Sequence, residues 1–308
     1  MIFIVGRYNE LCNRLFTFAN IIAFAKEHNH RVVNIAFGEE YRKWFRGTEK
    51  DALCRFPSVE TSTVTWRKTI PYVFRLAILM MKFFHKYKIF PSIRIGGQGA
   101  FSFNDPELLN IVAKIHLSKI SFFDGLYFID RENFIKHADF IRDFFKPVRE
   151  IECKVEAFIS DMRNNHDIII GVHIRHGDYE QFCNGLFYYT DEEYSSVMEQ
   201  ILEFFPEKKV AFLLCSNAHQ DSSVFKNLPF YMGLGHYVED LYALASCDYI
   251  IGPPSTFTQW ASFYGHVPRY VINYKCEQFN GIASREPQIS DFNVLSCGFG
   301  KYDEHPSY

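Results

Sequence analysis

Short apolar runs that alternate with helical segments constrain the fold of this chain most strongly. In the second half, DIIIGVHI (167–174), KVAFLLC (209–215) and DYIIG (248–252) are typical of buried strands, being rich in Ile, Val and Leu. Helical segments follow them, namely TDEEYSSVMEQILEFF, HYVEDLYALASC and STFTQWASFYGH, and VPRYVIN closes with a further strand. Such alternation predicts a parallel sheet that helices cover on both faces.

The first half begins with the same pattern. MIFIV predicts a strand, residues 11–30 predict a helix from their apolar spacing, and RVVNIAF predicts a second strand. A strand, a helix and a strand at this spacing form a βαβ unit. Residues 40–120 have no clear period, and KIHLSKISFFDGLYF predicts one or two more strands.

The length of 308 residues suits one large domain or two domains of ordinary size. Their junction is expected between Pro147 and Asn165. We therefore predict an α/β protein with mostly parallel sheets, in which residues 1–160 and residues 161–308 form two Rossmann-like domains.

Charge and cysteine content exclude several classes of protein. The net charge of −3 argues against a general nucleic-acid binder, which concentrates basic residues on one face. The eight cysteines occur singly and never as C-x-x-C, so no zinc or dithiol site is indicated. Reduced thiols in the cytoplasm are the expectation.

The start of the chain, MIFIVG, lacks the features of a signal peptide. The most apolar segment, residues 70–84, is interrupted by Arg75 and Lys82 and is shorter than the ~20 residues that a spanning helix needs. A helix packed within the protein is the first interpretation. Because Lys86 and Lys88 follow, the alternative is a basic amphipathic helix at residues 70–88 that contacts the inner face of a membrane.

Polar residues follow three of the predicted strands in the second half, as HIRHGD, SNAH (216–219) and GPPST (252–256). Ligands of open α/β sheets bind outside the carboxyl ends of the strands. The amide groups of Ser255, Thr256 and Phe257 would open a helix there and form an anion site. An ordinary Ser or Thr cap of the helix is the alternative.

His173 and Arg175 alternate with Ile174, so the two side chains share one face of the strand. Arginine pairs with two phosphate oxygens in a planar fork. Two alternatives remain open: an ion pair between Arg175 and Asp178, and a metal site of His173, His176 and Asp178. Asp240 either complements the dipole of its helix or accepts hydrogen bonds from a base such as guanine.

Taken in order, these segments resemble the α-1,2-fucosyltransferases, a family related to the α-1,6- and protein O-fucosyltransferases. HIRHGDY resembles their H-x-R-R-x-D-Y motif, and VEDLYALASCDYIIGPPSTFTQWASFYG resembles their later helix–strand–turn motif. KVAFLLCSNAH takes the place of the middle motif, and ELCNRLFTFAN resembles the G-L-G-N-Q-L-F-Q-Y-A opening.

The resemblance implies a GT-B-type glycosyltransferase, with two facing Rossmann-like domains, GDP-fucose as donor, a glycan as acceptor, inversion and no metal ion or other cofactor. It implies that the second domain binds the donor and that the first lies on the acceptor side. By position, His173 and Asp240 would hold the guanosine and Arg175 the β-phosphate. The remaining implied donor-binding residues are Asn13, Ser216, Asn217, Ser255, Thr256 and Phe257.

The sequence departs from the family pattern at three places. His176 stands where a second arginine occurs, which leaves the linkage open. Glu10 and Cys12 replace two glycines of the first turn, and the middle motif lacks its acidic pair. Glu10 is the candidate general base, with an exposed loop carboxylate as the alternative. A different nucleotide sugar, or a module that binds without catalysis, are the other functions the sequence allows.

Overall fold

The structure is a computed structural model that describes residues 1–6, 10–61, 120–123 and 128–272, with isolated positions between 69 and 115. Two compact units divide the chain, Met1–Val148 and Arg149–Tyr308. Each unit contains a mostly parallel sheet with helices. Most of the predicted membrane-contact segment, residues 70–88, lies outside the described residues.

The first unit is built around a sheet whose described strands have the order β3-β2-β1-β5-β4. The strands are β1 (Ile2–Ile4), β2 (Val32–Asn34), β3 (Arg55–Phe56), β4 (Arg94–Ile95) and β5 (Ser121–Phe123), and β3 runs antiparallel to β2. The helices whose bounds are described are α1 (Leu11–Glu27), α2 (Gly38–Arg42), α3 (Arg131–Lys136) and α4 (Ala138–Phe144). Strands β1 and β2 are parallel neighbours on either side of α1 in the chain, which confirms the predicted βαβ unit.

The second unit contains a fully parallel sheet with the order β10-β9-β6-β7-β8 among its described strands. The strands are β6 (Ile168–Ile174), β7 (Val210–Ser216), β8 (Phe230–Met232), β9 (Tyr249–Gly252) and β10 (Arg269–Val271). The helices are α5 (Arg149–Arg163), α6 (Asp191–Leu202), α7 (Tyr237–Leu244) and α8 (Thr256–Gly265). The central strand β6 is buried beyond its first residue.

The structure divides the chain after Val148, which lies inside the expected junction of residues 147–165, and residue 160 lies within α5. Helix α5 packs against α7 and thus belongs to the second unit. Its buried residues Ile151, Val155, Ile159 and Met162 recur at helical spacing. The apolar face of α5 therefore packs on the second unit instead of serving as a linker.

Local signals in the second unit predict its elements well. Thr190 and Glu193 form the predicted capping box at the start of α6. Strand β8 was missed, because a three-residue edge strand is too short to show a period. No helix in the described part of the chain is long and apolar enough to cross a membrane.

Candidate functional site

Three polar turns lie side by side at the carboxyl edge of the second sheet. Strand β6 pairs with β7 up to Ile174 opposite Ser216, and with β9 up to Val172 opposite Ile251. The turns that follow these three strands are therefore neighbours, as the sequence predicts. Gly252 allows this close approach, because a Cβ there would lie 2.9 Å from the carbonyl oxygen of His173.

His173 is a buried imidazole at the end of β6, with only 4% of its surface exposed. Its ring stacks on Phe257 of α8 with a centroid distance of 4.8 Å and an interplanar angle of 19°. Burial, with a smaller contribution from the charge of Arg175, lowers the pKa of His173 to about 3. Neither ring nitrogen has a hydrogen-bond partner among the described residues. A neutral, desolvated imidazole with two unused polar atoms suits a polar ligand.

Arg175 forms an ion pair with Asp178, which is one of the two alternatives that the sequence leaves open. Nη2 of Arg175 lies 2.9 Å from Oδ1 of Asp178, and the carboxylate side chain is 58% exposed. The guanidinium also lies 5.4 Å from the ring centroid of Tyr179. An exposed ion pair is weak, so Asp178 does not prevent the guanidinium from binding an anion.

Tyr179 links the turn after β6 to the turn after β9. Its hydroxyl donates a hydrogen bond of 2.7 Å to the carbonyl oxygen of Pro254. Burial raises the pKa of Tyr179 to about 12, so the hydroxyl keeps its proton at physiological pH. This bond fixes the entrance to α8 relative to Arg175. The sequence alone does not predict this role of Tyr179.

Ser255 caps α8, because its Oγ accepts a hydrogen bond of 3.2 Å from the amide of Phe257. The ordinary cap is thus present. In the described part of the chain, the amides of Thr256 and Thr258 have no acceptor. They leave N–H donors at the positive end of a helix, where anions bind.

Arg269 adds positive charge next to the first turn of α8. The sequence did not predict this residue as part of the site. It is buried, and its Nη1 donates a hydrogen bond of 3.1 Å to Oγ1 of Thr258. The Thr258 hydroxyl in turn donates to the carbonyl oxygen of Ser255 at 3.0 Å. A buried arginine inside a strand segment such as VPRYVIN is the signal that could have revealed it.

Asp240 lies in the first turn of α7 and is buried. Its Oδ1 accepts hydrogen bonds from the amides of Leu234 at 2.7 Å and Gly235 at 3.3 Å. Burial raises the pKa of Asp240 to about 6, although these two amides oppose the shift. A Cβ at Gly233 would lie 2.6 Å from Oδ1 of Asp240 and 3.1 Å from Sγ of Cys215, which pairs with His173 in the sheet. Asp240 therefore belongs to the same edge of the sheet.

Ser216 and Asn217 hold the turn after β7 in place. Oγ of Ser216 accepts hydrogen bonds from the amide of Ala218 at 3.1 Å and from Nε2 of Gln220 at 2.6 Å. Oδ1 of Asn217 accepts one of 3.0 Å from the amide of His176. These contacts give both residues a structural role, beside which donor binding stays a prediction.

His176 is oriented toward the segment before α6. Its Nε2 lies 2.8 Å from the carbonyl oxygen of Tyr189 and 3.8 Å from Oδ1 of Asp191. His173, His176 and Asp178 therefore engage three different partners and do not converge. Among the described residues, no group of three or more His, Cys, Asp or Glu side chains could hold a metal ion.

Glu10 and Asn13 belong to the first unit, at the start of α1. Glu10 is exposed at the N-cap position, and its Oε2 accepts a hydrogen bond of 3.2 Å from the hydroxyl of Tyr41. The guanidinium of Arg14 lies 4.9 Å from the ring centroid of Tyr41. Asn13 is half-buried in the first turn. The carboxylate of Glu10 is thus accessible and oriented by a phenol.

Comparison with protein families finds one match. The sequence model of glycosyl transferase family 11 matches residues 109–281, more than half of the chain. No curated protein matches significantly.

Solved structures with a similar fold include several fucosyltransferases. A mutant of FUT1 from Arabidopsis thaliana in complex with GDP has a TM-score of 0.59 at 12% identity, over 89% of this chain and 71% of that chain. The α-1,6-fucosyltransferase NodZ, from Bradyrhizobium, soaked with GDP-fucose has a TM-score of 0.53 at 16% identity, over 88% of this chain and 94% of that chain. POFUT1 in complex with GDP has a TM-score of 0.50 at 12% identity, over 87% of this chain and 97% of that chain. At these identities the likeness concerns the fold.

Proposed function

This chain belongs to glycosyl transferase family 11, the α-1,2-fucosyltransferase family, and on that premise we propose that it transfers fucose from GDP-fucose to a glycan hydroxyl. The transfer inverts the anomeric carbon and needs no metal ion. The second unit takes the donor and the first unit takes the acceptor. Neighbours of the same fold that were solved with GDP or GDP-fucose support this choice of donor.

The observation that carries the proposal is the edge formed by His173, Arg175 and the start of α8. The ring nitrogens of His173, which are buried and have no hydrogen-bond partner among the described residues, are the proposed donor and acceptor for the nucleoside. Asp240 uses only Oδ1 for the described backbone contacts, so Oδ2 is left to accept N–H groups of guanine. Guanine offers two adjacent N–H donors to a carboxylate, whereas uracil offers one.

Charge development explains how this edge accelerates the reaction. The bond between the anomeric carbon and the phosphate oxygen breaks, and its electron pair leaves with GDP. Arg175 and the amides of Thr256 and Thr258 stabilise the negative charge that grows on the diphosphate. Fixed donors of this kind supply electrostatic stabilisation without a divalent cation.

The acceptor oxygen forms a new bond to the anomeric carbon from the face opposite to GDP. Its proton must leave, and Glu10 is the proposed base because its carboxylate is accessible and oriented by Tyr41. Asn13, in the first turn of α1, is proposed to contact the sugar. Glu10→Gln should lower kcat while GDP affinity stays unchanged, and Tyr41→Phe should cause a smaller loss of the same kind.

The decisive experiment measures binding and turnover with a panel of nucleotide sugars. GDP-fucose should bind with measurable heat and release GDP, and UDP- and ADP-sugars should do neither. Absence of binding to any guanine nucleotide, or preference for a uridine or adenine donor, would refute the proposed donor. Tight GDP-fucose binding without transfer or hydrolysis across a broad acceptor panel would instead identify a binding module.

Two further measurements address the mechanism. Turnover after treatment with EDTA should equal turnover in Mg²⁺, since the proposed stabilisation comes from Arg175 and helix amides. The NMR coupling constant of the transferred fucose should report the anomeric configuration opposite to that of the donor. Retention of configuration, or loss of activity in EDTA that Mg²⁺ restores, would contradict the proposed mechanism.

A further inference from the structure

Six large apolar side chains between positions 72 and 83 are exposed on helical backbone. Each is between 53% and 67% exposed, far more than core residues of the same type. They are Tyr72, Val73, Leu76, Leu79, Met80 and Phe83, and we call them the apolar stripe.

The spacing of the apolar stripe places its members on one face of a helix. Tyr72, Leu76, Leu79 and Phe83 follow one another at intervals of four, three and four residues, and Val73 and Met80 are the next residues after Tyr72 and Leu79. Single exposed apolar residues are common on soluble proteins, whereas a contiguous apolar face marks a contact with a partner or a membrane.

The charge of the surrounding sequence identifies the partner. Residues 61–104 contain no Asp or Glu, while the whole chain has a net charge of −3. The same segment contains seven basic residues, which are Arg67, Lys68, Arg75, Lys82, Lys86, Lys88 and Arg94. An apolar face in a segment whose Lys and Arg residues are not offset by any Asp or Glu is typical of a helix that lies in the interface of an anionic bilayer.

We propose that the apolar stripe inserts into the headgroup region of a membrane that contains anionic phospholipid. A second copy of this chain fits less well, because pairing two such segments would bring seven positive charges against seven without any carboxylate to offset them. The proposal concerns where the protein works and does not depend on the identity of the donor.

Sedimentation of the full chain with lipid vesicles tests the proposal. Vesicles of phosphatidylcholine with 30% phosphatidylglycerol, about the anionic content of many membranes, should bind the protein, and vesicles of phosphatidylcholine alone should bind it at least about tenfold more weakly. Raising the salt concentration should weaken the binding, since it screens the basic residues.

Variants separate the apolar contribution from the electrostatic one. Leu76→Glu and Leu79→Glu should each reduce vesicle binding by about tenfold or more, because a carboxylate resists burial near anionic lipid. Lys82→Gln should reduce it about fivefold, the value of one basic residue near the surface. Ile135→Glu is the matched control. Ile135 is likewise an exposed apolar residue of a helix, with 46% of its surface accessible, but it lies outside the apolar stripe. It should bind vesicles like the unmodified protein.

Three outcomes would overturn the proposal. Equal binding to both vesicle types would show that anionic lipid is not required. Absence of binding to either type would refute the membrane contact. A concentration-dependent dimer in sedimentation velocity that Leu76→Glu dissociates, without vesicle binding, would assign the apolar stripe to a second copy. The melting temperature and the GDP affinity of each variant show whether it folds, so a failure here is distinguishable from a failure of the proposed donor.

Discussion

The guanidinium of Arg175 lies 2.9 Å from the carboxylate of Asp178, at the edge where the diphosphate is proposed to bind. The pair is exposed, so it contributes less than about 1 kcal/mol to the free energy of unfolding. We therefore expect Arg175→Ala to lower kcat about 10²–10³-fold, the loss typical of one transition-state donor. Turnover with GDP-fucose and denaturant unfolding together test this expectation.

Asp178→Asn is the control, because it breaks the same ion pair and keeps the guanidinium. Its unfolding free energy should match that of Arg175→Ala to within about 1 kcal/mol, while its loss of turnover should be much smaller. A large loss of stability in Arg175→Ala with unchanged turnover of the folded fraction would make Arg175 a structural residue only.

Asp240 predicts a specific pH dependence of stability. Burial raises its pKa from 3.8 to about 6, so the folded state favours the neutral carboxyl. The stability that this provides is complete below about pH 4 and is lost as the pH rises to about 6. Asp240→Asn keeps an oxygen that accepts from Leu234 and Gly235 and cannot ionise. The difference in unfolding free energy between Asp240→Asn and the unmodified protein should therefore shift in favour of the variant as the pH rises from about 4 to about 6. Above about pH 6 this difference should stay constant.

The same variant should bind GDP more weakly at pH 7.5, since an amide replaces Oδ2. Opposite signs for stability and affinity distinguish a ligand-binding carboxylate from a structural one. Glu239→Gln is the control, because Glu239 is the neighbouring carboxylate and pairs with Lys154 at the surface. Because the charge of Glu239 makes a small contribution to the raised pKa of Asp240, Glu239→Gln should change the pH dependence far less than Asp240→Asn, and it should leave the GDP affinity unchanged. A parallel loss of stability and affinity in Asp240→Asn would contradict the assignment.

Two helix caps of the second unit allow a matched comparison. Ser255 caps α8 and Thr190 caps α6 through the same kind of hydrogen bond to an amide. Replacing either by Ala should cost about 1 kcal/mol of unfolding free energy. Only Ser255→Ala should also weaken GDP binding, measured by calorimetry, because only α8 begins at the proposed diphosphate site. Equal effects on GDP affinity would place the diphosphate elsewhere.

Tyr179→Phe removes the hydrogen bond to the carbonyl oxygen of Pro254. We expect a loss of about 1 kcal/mol in unfolding free energy and a higher KM for GDP-fucose, since the two turns lose their link. Tyr231→Phe, in strand β8 of the same unit, should change neither quantity. A Tyr179→Phe enzyme with unchanged KM would show that the link is dispensable for the donor site.

The sequence predicts most elements of the second unit, though not β8 or α5, because Ile- and Val-rich strands and a capping box are local signals. It also places His173 and Arg175 on one face, since side chains alternate along a strand. Contacts between distant residues are not accessible in this way. The amides that surround Asp240, the orientation of His176 toward Tyr189 and the buried Arg269 behind α8 all arise from tertiary packing.

The position of β6 within its sheet has a consequence for the thermodynamics of donor binding. Because β6 pairs with β9 as far as Val172 and with β7 as far as Ile174, the backbone at His173 is held by the β7 ladder and the residue before it by both ladders. His173 therefore starts from its bound backbone conformation, and little conformational entropy is lost when a nucleotide arrives. The heat of binding at this edge should accordingly reflect contacts with the nucleotide more than any ordering of the sheet.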